Sequence, residues 1–269
     1  MAVIALQSAA SGLSALNTQL DVVANNLANI NTPGFKTSRA NFQDLMYVER
    51  GQPGVENSHG DQRPTGLYVG LGVKVSGTQV SFGQGAPLAT DRPLDMMING
   101  LGFFKVSVQN SIGADGFAYT RAGNFSLNSD GEIVLANDQG RRLEPLVTLP
   151  EGAKDITIAP DGTVFYTESG TTEPINGGQI EITTFINPAG LKQVGENLYA
   201  ETAASGPGLD GIAGEENRGS IQQGSLESSN VDPTRELIEM IRTQRAFELN
   251  SNSIRAADET LRAVAQLRR

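Results

Sequence analysis

The stretch "ANNLANINTPGFK", residues 24–36, decides how the N-terminal end of this chain folds. Four of its residues are asparagine, a mediocre helix former because its amide competes for backbone hydrogen bonds. Apolar side chains nevertheless recur through it in steps of three and four, the spacing of a coiled-coil seam. The seam consists of Leu13, Leu16, Leu20, Val23, Leu27 and Ile30. Thr32-Pro33-Gly34, followed by Phe35, then predicts a type II turn that ends the helix.

Composition and charge narrow the class of protein. A chain of 269 residues suggests about two domains. The absence of cysteine excludes disulfides and cysteine-ligated metals, and the net charge is −10. The charge is concentrated between residues 39 and 232, which argues against nucleic acid and anionic membranes as partners. We expect no transmembrane helix and no cleavable signal peptide, since the sequence lacks the apolar blocks that either requires.

The C-terminal end also predicts a helix. In "SNVDPTRELIEMI", Asp232 can cap the helix and Pro233 fits its first position. Apolar residues again recur in steps of three and four, with a slip near Ala257. The residues that we expect to pack are Leu237, Met240, Ile241, Phe247, Ile254, Leu261 and Val264. Oppositely charged pairs four residues apart should support the outer side: Arg235–Glu239, Arg255–Glu259 and Asp258–Arg262.

The region between the helices predicts β structure. Residues 36–84 are punctuated by glycine and proline and should form an extended connector with short strands. Residues 85–225 alternate short β-like runs with turn dipeptides, of which Asp130-Gly131 and Asp161-Gly162 indicate hairpins. The predicted fold class is therefore α+β. Residues 1–35 and 226–269 would form an inner, coiled-coil-like core domain, and residues 85–225 a mainly antiparallel outer domain.

The sequence offers little catalytic chemistry. His59 is the single histidine and lies in a loop-like segment, where a solvated surface position is far more common than a catalytic or metal-binding one. Aspartate and glutamate are plentiful, so a pair of catalytic carboxylates stays open, but abundance alone points to no position.

The unusual feature of the first helix is its lack of charge. Asp21 is its single charged residue before the turn, whereas a solvated helix of this length normally carries a charged face. Amides such as those of Asn25, Asn26 and Asn29 can be buried if each finds a hydrogen-bond partner, which costs less than burying charge. We therefore infer that this helix is covered on nearly every side, which several copies packed together could achieve.

The same composition predicts a helix that is weak in isolation. It has no ion pairs, a glycine near its start and many poor helix formers. We hypothesise that both ends of the chain are disordered in the monomer and fold on assembly.

Several motifs resemble those of a known family. "ANNLANINTPGFK" resembles the N-terminal signature of bacterial flagellar axial proteins, the rod and hook subunits, and "SLESSNVDPTRELIEMIRTQRAFELNSNSIRAADETL" resembles their C-terminal signature. "INGLGFFKV", "YTRAGNFSLNSDGEIV" and "TTFINPAGLKQVGENLY" resemble the middle of the distal rod and hook subgroup. Length and the connector at 45–75 favour the distal rod, with a second full-length rod protein or a hook subunit as alternatives.

The resemblance implies a helical tubular polymer that acts as a drive shaft from motor to hook. It implies partners, namely further copies of the chain, other rod proteins and the hook protein at the ends, and surrounding bushing rings. It also implies export through the flagellar type III channel into the periplasm, with no membrane insertion, no nucleic acid, no cofactor and no catalysis. From a different class, a secreted β-domain enzyme or adhesin remains an alternative.

Overall fold

The computed structural model describes residues 2–56, 62–109, 116–150, 152–168 and 173–267, and its architecture is α+β. One α-helix stands at each end of the chain, and the sequence between them forms strands and a short 3-10 helix, Pro188–Gly190. His59 lies outside the described residues. Neither helix in the described part of the chain has an apolar stretch of the length needed to cross a bilayer.

The two helices begin and end close to the predicted signals. Helix α1 spans Ala2–Ala28, so Ile30, the last residue of the predicted seam, lies in the turn that follows. Helix α2 spans Pro233–Leu267 without a break near Ala257. The Asp232 carboxylate caps it by accepting hydrogen bonds from the backbone N–H groups of Thr234 (3.0 Å) and Arg235 (3.3 Å).

One of the three predicted ion pairs on α2 is present. Arg262 lies 2.8 Å from Asp258. Arg235–Glu239 and Arg255–Glu259 are not ion pairs in this part of the structure, and the Glu239 carboxylate instead lies 4.0 Å from Arg242, three residues on. At an exposed helix surface these alternatives differ by only a few tenths of a kcal/mol.

The chain forms two compact units, and the first, here called the helical unit, consists of the two helices with residues 38–79. Its strands form two pairs, β1 with β4 and the antiparallel β2 with β3. Their bounds are β1 Ser38–Asp44, β2 Tyr47–Gly51, β3 Leu67–Gly70 and β4 Val73–Val80.

The second, here called the strand unit, consists of residues 29–37 and 80–231. Its longest sheet has the order β11-β7-β8-β17-β16, and β12-β13-β14 form a second sheet. The bounds are β5 Pro87–Ala89, β6 Met96–Asn99, β7 Phe104–Ser107, β8 Phe117–Thr120, β9 Phe125–Leu127, β10 Ile133–Leu135, β11 Leu143–Glu144, β12 Lys154–Ile158, β13 Thr163–Thr167, β14 Ile175–Gln179, β15 Glu181–Thr184, β16 Lys192–Gly195, β17 Leu198–Ala200, β18 Leu209–Ile212, β19 Ser220–Gln223 and β20 Ser225–Glu227.

Both predicted hairpins are confirmed. β9 and β10 pair antiparallel around Asp130-Gly131, and β12 and β13 pair antiparallel around Asp161-Gly162. Both glycines have positive φ (76° and 89°), which glycine adopts without steric cost. The apolar core of the strand unit forms from the inward side chains of these strands, including Phe104, Phe125 and Ile182.

Candidate assembly interface

Helix α2 packs against the small and polar face of α1. Gly12 lies so close to Asn250 that an added Cβ would be 3.1 Å from the amide nitrogen. Farther along, the Gln19 amide is 3.5 Å from Glu239. With Ala15, Val23 and Asn26, which are buried, these residues occupy one arc of about 80° at 100° per residue. This narrow face is the one that the chain itself covers.

The apolar seam of α1 is covered only in part within one chain. Val23 is buried because it lies where the seam meets the face that α2 covers. The other seam residues are half-buried: Leu13, Leu16, Leu20, Leu27 and Ile30. Asn29 is also half-buried and Asn25 is exposed. Apolar surface therefore remains along α1 after α2 has packed.

Helix α2 presents an apolar face to solvent. Leu237, Ile238, Ile241 and Leu249 are 45 to 68% exposed. At 100° per residue they fall within an arc of about 120°, on the side opposite the buried Thr243. Met240, Phe247 and Ile254 are half-buried, and the side chains of Leu261 and Val264 lie outside the described residues. Contiguous exposed apolar surface of this kind marks sites of protein association.

Asn26 finds its hydrogen-bond partners within the chain. Its amide pairs with the backbone of Ser38, donating to the carbonyl oxygen (2.8 Å) and accepting from the N–H (3.0 Å). The same amide nitrogen lies 3.2 Å from a carboxylate oxygen of Glu236 in the first turn of α2. Asn26 therefore fastens α1 both to the start of β1 and to α2, and it is only 1% exposed.

The predicted turn after α1 is present. The N–H of Phe35 donates to the carbonyl of Thr32 (3.2 Å), and Gly34 has φ +72°, as the third position of a type II turn requires. Gly34 is also pressed against the segment that follows β8, since an added Cβ would lie 2.6 Å from the backbone nitrogen of Ala122. Its N–H donates to the carbonyl of Glu227 (2.7 Å).

Directly after this turn, Lys36 enters a buried cluster of three charged side chains. Its ammonium lies 2.6 Å from Oε1 of Glu227, and Nη1 of Arg121 lies 3.4 Å from Oε2 of the same carboxylate. All three side chains are at most 2% exposed. Both cations also donate hydrogen bonds to backbone carbonyl oxygens, Lys36 to that of Gly83 (2.8 Å) and Arg121 to that of Gly100 (2.8 Å).

Burial governs the electrostatics of this cluster. Loss of hydration lowers the pKa of Lys36, against the opposing attraction of Glu227, and burial likewise lowers the pKa of Arg121. The Arg121 guanidinium also lies 5.3 Å from the centre of the Phe103 ring. Beside it, burial raises the pKa of Tyr199 well above its usual value. The cluster is closed to solvent, so its role is to join chain segments rather than to bind a ligand.

The sequence patterns single out none of the three charged residues, although a signal exists. Lys36 is the sole charge between Asp21 and Arg39, and Glu227 is the sole charge between Arg218 and Asp232. An isolated charge in an uncharged segment is a candidate for burial with a partner. Their pairing across 191 residues can be seen only in the fold.

The connector strands carry a further exposed apolar surface. Met46 is 80% exposed, and Tyr47, Val48, Leu67 and Tyr68 on the β2–β3 pair are exposed as well. Among the described residues no group of three or more carboxylate or imidazole side chains is arranged to hold a metal ion.

Comparison with known proteins shows which family models the chain matches. Three family models match it: "Flagella basal body rod protein" at residues 6–36, "Flagellar hook protein FlgE/F/G D1 domain" at 97–166 and "Flagellar basal body rod FlgEFG protein C-terminal" at 222–267. The charged cluster draws one residue from each matched segment, namely Lys36, Arg121 and Glu227.

Full-length relatives point to one branch of that family. The chain is 43% identical to the flagellar basal-body rod protein FlgG of Caulobacter vibrioides, over 98% of this chain and 99% of that protein. It is 42% identical to FlgG of Borreliella burgdorferi, over 98% of both. Identity to the flagellar hook-basal body complex protein FlhP of Bacillus subtilis is 30%, over 97% of this chain and 98% of that protein. The chain therefore belongs to the FlgG family of flagellar basal-body rod proteins, whose members are structural subunits of the rod and not enzymes.

Proposed function

We propose that this chain builds the distal part of the rod, a helical tube that acts as a drive shaft and transmits torque from the motor to the hook. The observation that carries this proposal is the apolar surface that one chain leaves uncovered on both helices. A surface used by a single pair would produce a closed dimer. Several different faces, meeting different neighbours, produce an open helical assembly.

In this proposal the terminal helices form an inner, coiled-coil-like core. The half-buried seam of α1 and the exposed face of α2 would pack against other copies, and Thr32–Phe35 would lead the chain out of the core. The proposed packing residues are Leu13, Leu16, Leu20, Val23, Asn25, Asn26, Leu27, Asn29, Ile30, Leu237, Met240, Ile241, Phe247, Ile254, Leu261 and Val264. Asn26 would contribute indirectly, by holding α1 against α2 and β1.

The connector, residues 36–84, would bridge adjacent copies and stiffen the shaft. The exposed Tyr47 and Tyr68 on its paired strands support this role, because aromatic side chains contribute strongly to protein interfaces. Deleting part of residues 46–66 should give a more flexible, hook-like polymer. A straight rod of unchanged stiffness would contradict the connector's role.

The proposed location follows from the assembly. The tube would lie in the periplasm after type III export. Other rod proteins and the hook protein would meet its ends, and bushing rings would surround it. The acidic middle of the chain, with a net charge near −12 over residues 39–232, disfavours nucleic acid and anionic lipid as partners.

Electron microscopy of negatively stained samples tests the proposal. Purified full-length chain, once nucleated, should form straight tubes, and basal bodies from the source bacterium should contain them. A matched variant with Leu237→Ser, Ile241→Ser and Leu249→Ser should remain folded in its strand unit but form no tubes. Tube formation by this variant would show that the α2 face is not an assembly surface. Curved, flexible tubes from the unchanged chain would favour a hook subunit instead.

A further inference from the structure

Three segments that are distant in sequence meet inside the strand unit. They are residues 34–37, 81–86 and 227–230, here called the three-segment junction. The chain passes between the two units four times, at 28/29, 37/38, 79/80 and 231/232. The three segments lie within a few residues of the last three crossings, and the first crossing leads into the segment that ends with residues 34–37. Hydrogen bonds and ion pairs within the strand unit tie the three segments to one another.

Asn230 bonds to both of the other segments with one side chain. Its amide oxygen accepts from the N–H of Thr37 (2.8 Å), and its amide nitrogen donates to the carbonyls of Ser81 (2.9 Å) and Gly83 (2.9 Å). The N–H of Ser81 donates to the carbonyl of Thr37 (2.8 Å), which closes the triangle. The amide thus uses both of its donors and its acceptor.

Lys36 and Glu227 form a second layer of the same junction. Lys36 spans all three segments, since its ammonium bonds to the Glu227 carboxylate and to the Gly83 carbonyl. Oε1 of Glu227 also accepts from the N–H of Gly85 (2.8 Å). Backbone packing is tight here, because a Cβ on Gly85 would lie 1.8 Å from the carbonyl oxygen of Ser228.

We propose that the three-segment junction is the torque-bearing element of the subunit, with Asn230 as the side chain that makes the three segments next to the chain crossings act as one. A single crossing would leave soft backbone dihedrals about which the two units could turn. Segments that are bonded to each other within the strand unit would share a load placed on any one of the crossings, because the hydrogen bonds of one network strengthen each other. The proposal rests on the proposed function, because only a rotating shaft loads these crossings in torsion.

Hydrogen exchange in the monomer tests whether the junction is one unit. Asn230→Asp keeps the shape and the acceptor but replaces two donated hydrogen bonds by a carboxylate facing two carbonyls. We expect exchange at the Thr37 and Ser81 amides to accelerate together, by about tenfold or more, while the β9–β10 hairpin is unchanged. Acceleration at Thr37 alone, or at neither amide, would overturn the proposal.

A matched control separates the junction from the loss of an amide in general. Asn187 donates from its side chain to the Ala204 carbonyl (3.0 Å) in a surface loop of the same unit. Asn187→Asp makes the same chemical change but touches no chain crossing. It should leave exchange at Thr37 and Ser81 as in the wild type.

Torsional stiffness of assembled rods tests the mechanical role. Cells whose own copy is replaced by each variant are tethered with the motor locked, and stiffness follows from their angular fluctuations. Asn230→Asp should form rods whose stiffness falls about twofold or more, and Asn187→Asp should match the wild type. Wild-type stiffness in the Asn230→Asp rods would overturn the proposal.

A variant that forms no rods must be distinguished from one that forms softer rods. If Asn230→Asp forms no rods, Asn230→Ala, which lacks the repelling carboxylate, is measured in its place. If neither forms rods although both monomers fold, the junction serves assembly and the proposal is overturned. If the wild-type chain itself formed no rods, the proposed function would fail, and hydrogen exchange would still decide whether the junction is one unit.

Discussion

The ammonium nitrogen of Lys36 lies 2.6 Å from a carboxylate oxygen of Glu227, and both side chains are sealed from solvent. One residue ends the N-terminal motif and the other lies near the start of the C-terminal motif, 191 positions later. The pair therefore fixes both ends of the strand unit at one place. Arg121, which adds a second cation to the same carboxylate, makes Glu227 the residue on which the cluster depends.

Removing the carboxylate should destabilise the protein more than removing one cation. Glu227→Gln leaves two buried cations without an anion, whereas Lys36→Met leaves the Arg121–Glu227 pair intact. We expect Glu227→Gln to lower the free energy of unfolding by about 3–5 kcal/mol or more, and Lys36→Met by less. Urea unfolding measures both changes. As a control, Lys192→Met at an exposed position should change the free energy of unfolding by about zero. Equal effects from the first two variants would contradict this account of the cluster.

Gly34→Ala should lower the free energy of unfolding by more than the strain of a positive φ alone would. Gly206 has nearly the same φ (75° against 72°), but no atom lies within 4 Å of a Cβ placed there. Gly206→Ala should therefore show the strain of a positive φ, about 1–2 kcal/mol. Gly34→Ala adds a clash with the backbone of Ala122 and should lose clearly more in the free energy of unfolding. Equal losses in thermal or urea unfolding would show that the turn is not pressed against the backbone of Ala122.

Alkaline pH should destabilise the strand unit through Tyr199. Burial, the largest cause, raises the pKa of this phenol, while Arg121 lowers it and Glu227 raises it. The unfolded chain releases its phenol proton near pH 10, whereas the folded chain retains it. The stability contribution of Tyr199 is thus complete below pH 10 and is lost as the pH rises further. Tyr199→Phe should show a shallower fall in unfolding free energy between pH 9 and 11, and an identical slope would contradict the assignment.

Limited proteolysis tests the hypothesis that the chain ends fold on assembly. In the monomer, cuts should accumulate within both helices, before residue 29 and after residue 231, and stop there because Lys36 and Glu227 lie inside the strand unit. Cuts in the connector should leave residues 29–37 bound to residues 80–231 without a covalent link. Resistant helices in a proven monomer would contradict the hypothesis. Release of the 29–37 peptide would instead contradict the anchoring of this segment in the strand unit.

Local patterns predicted much of the fold, since they depend on neighbouring residues. The cap at Asp232, the turn at Gly34 and the two Asp-Gly hairpins all follow from backbone preferences within four residues. The partner of each face of a helix cannot be obtained in this way. Periodicity singled out the leucine seam of α1. Helix α2 instead contacts the neighbouring face of α1, where Gly12 allows close approach and Asn26 bonds to Glu236 of α2.

The charged cluster lay beyond prediction for a different reason. Lys36, Arg121 and Glu227 come from three distant segments, and the energy that favours their burial arises only when all three meet. Nothing in the sequence near Lys36 distinguishes it from a surface lysine except the scarcity of other charges.

Chemical labelling of α2 in assembled rods tests whether other copies of the chain cover its exposed apolar face. The chain has no cysteine, so Ile241→Cys and Leu249→Cys each introduce a single reactive thiol on the exposed face. Maleimide should modify both at least about tenfold more slowly in rods than in the same rods dissolved in denaturant, because neighbouring copies cover this face. Equal rates in intact and dissolved rods would contradict the account, since the face would then remain open to solvent in the assembly.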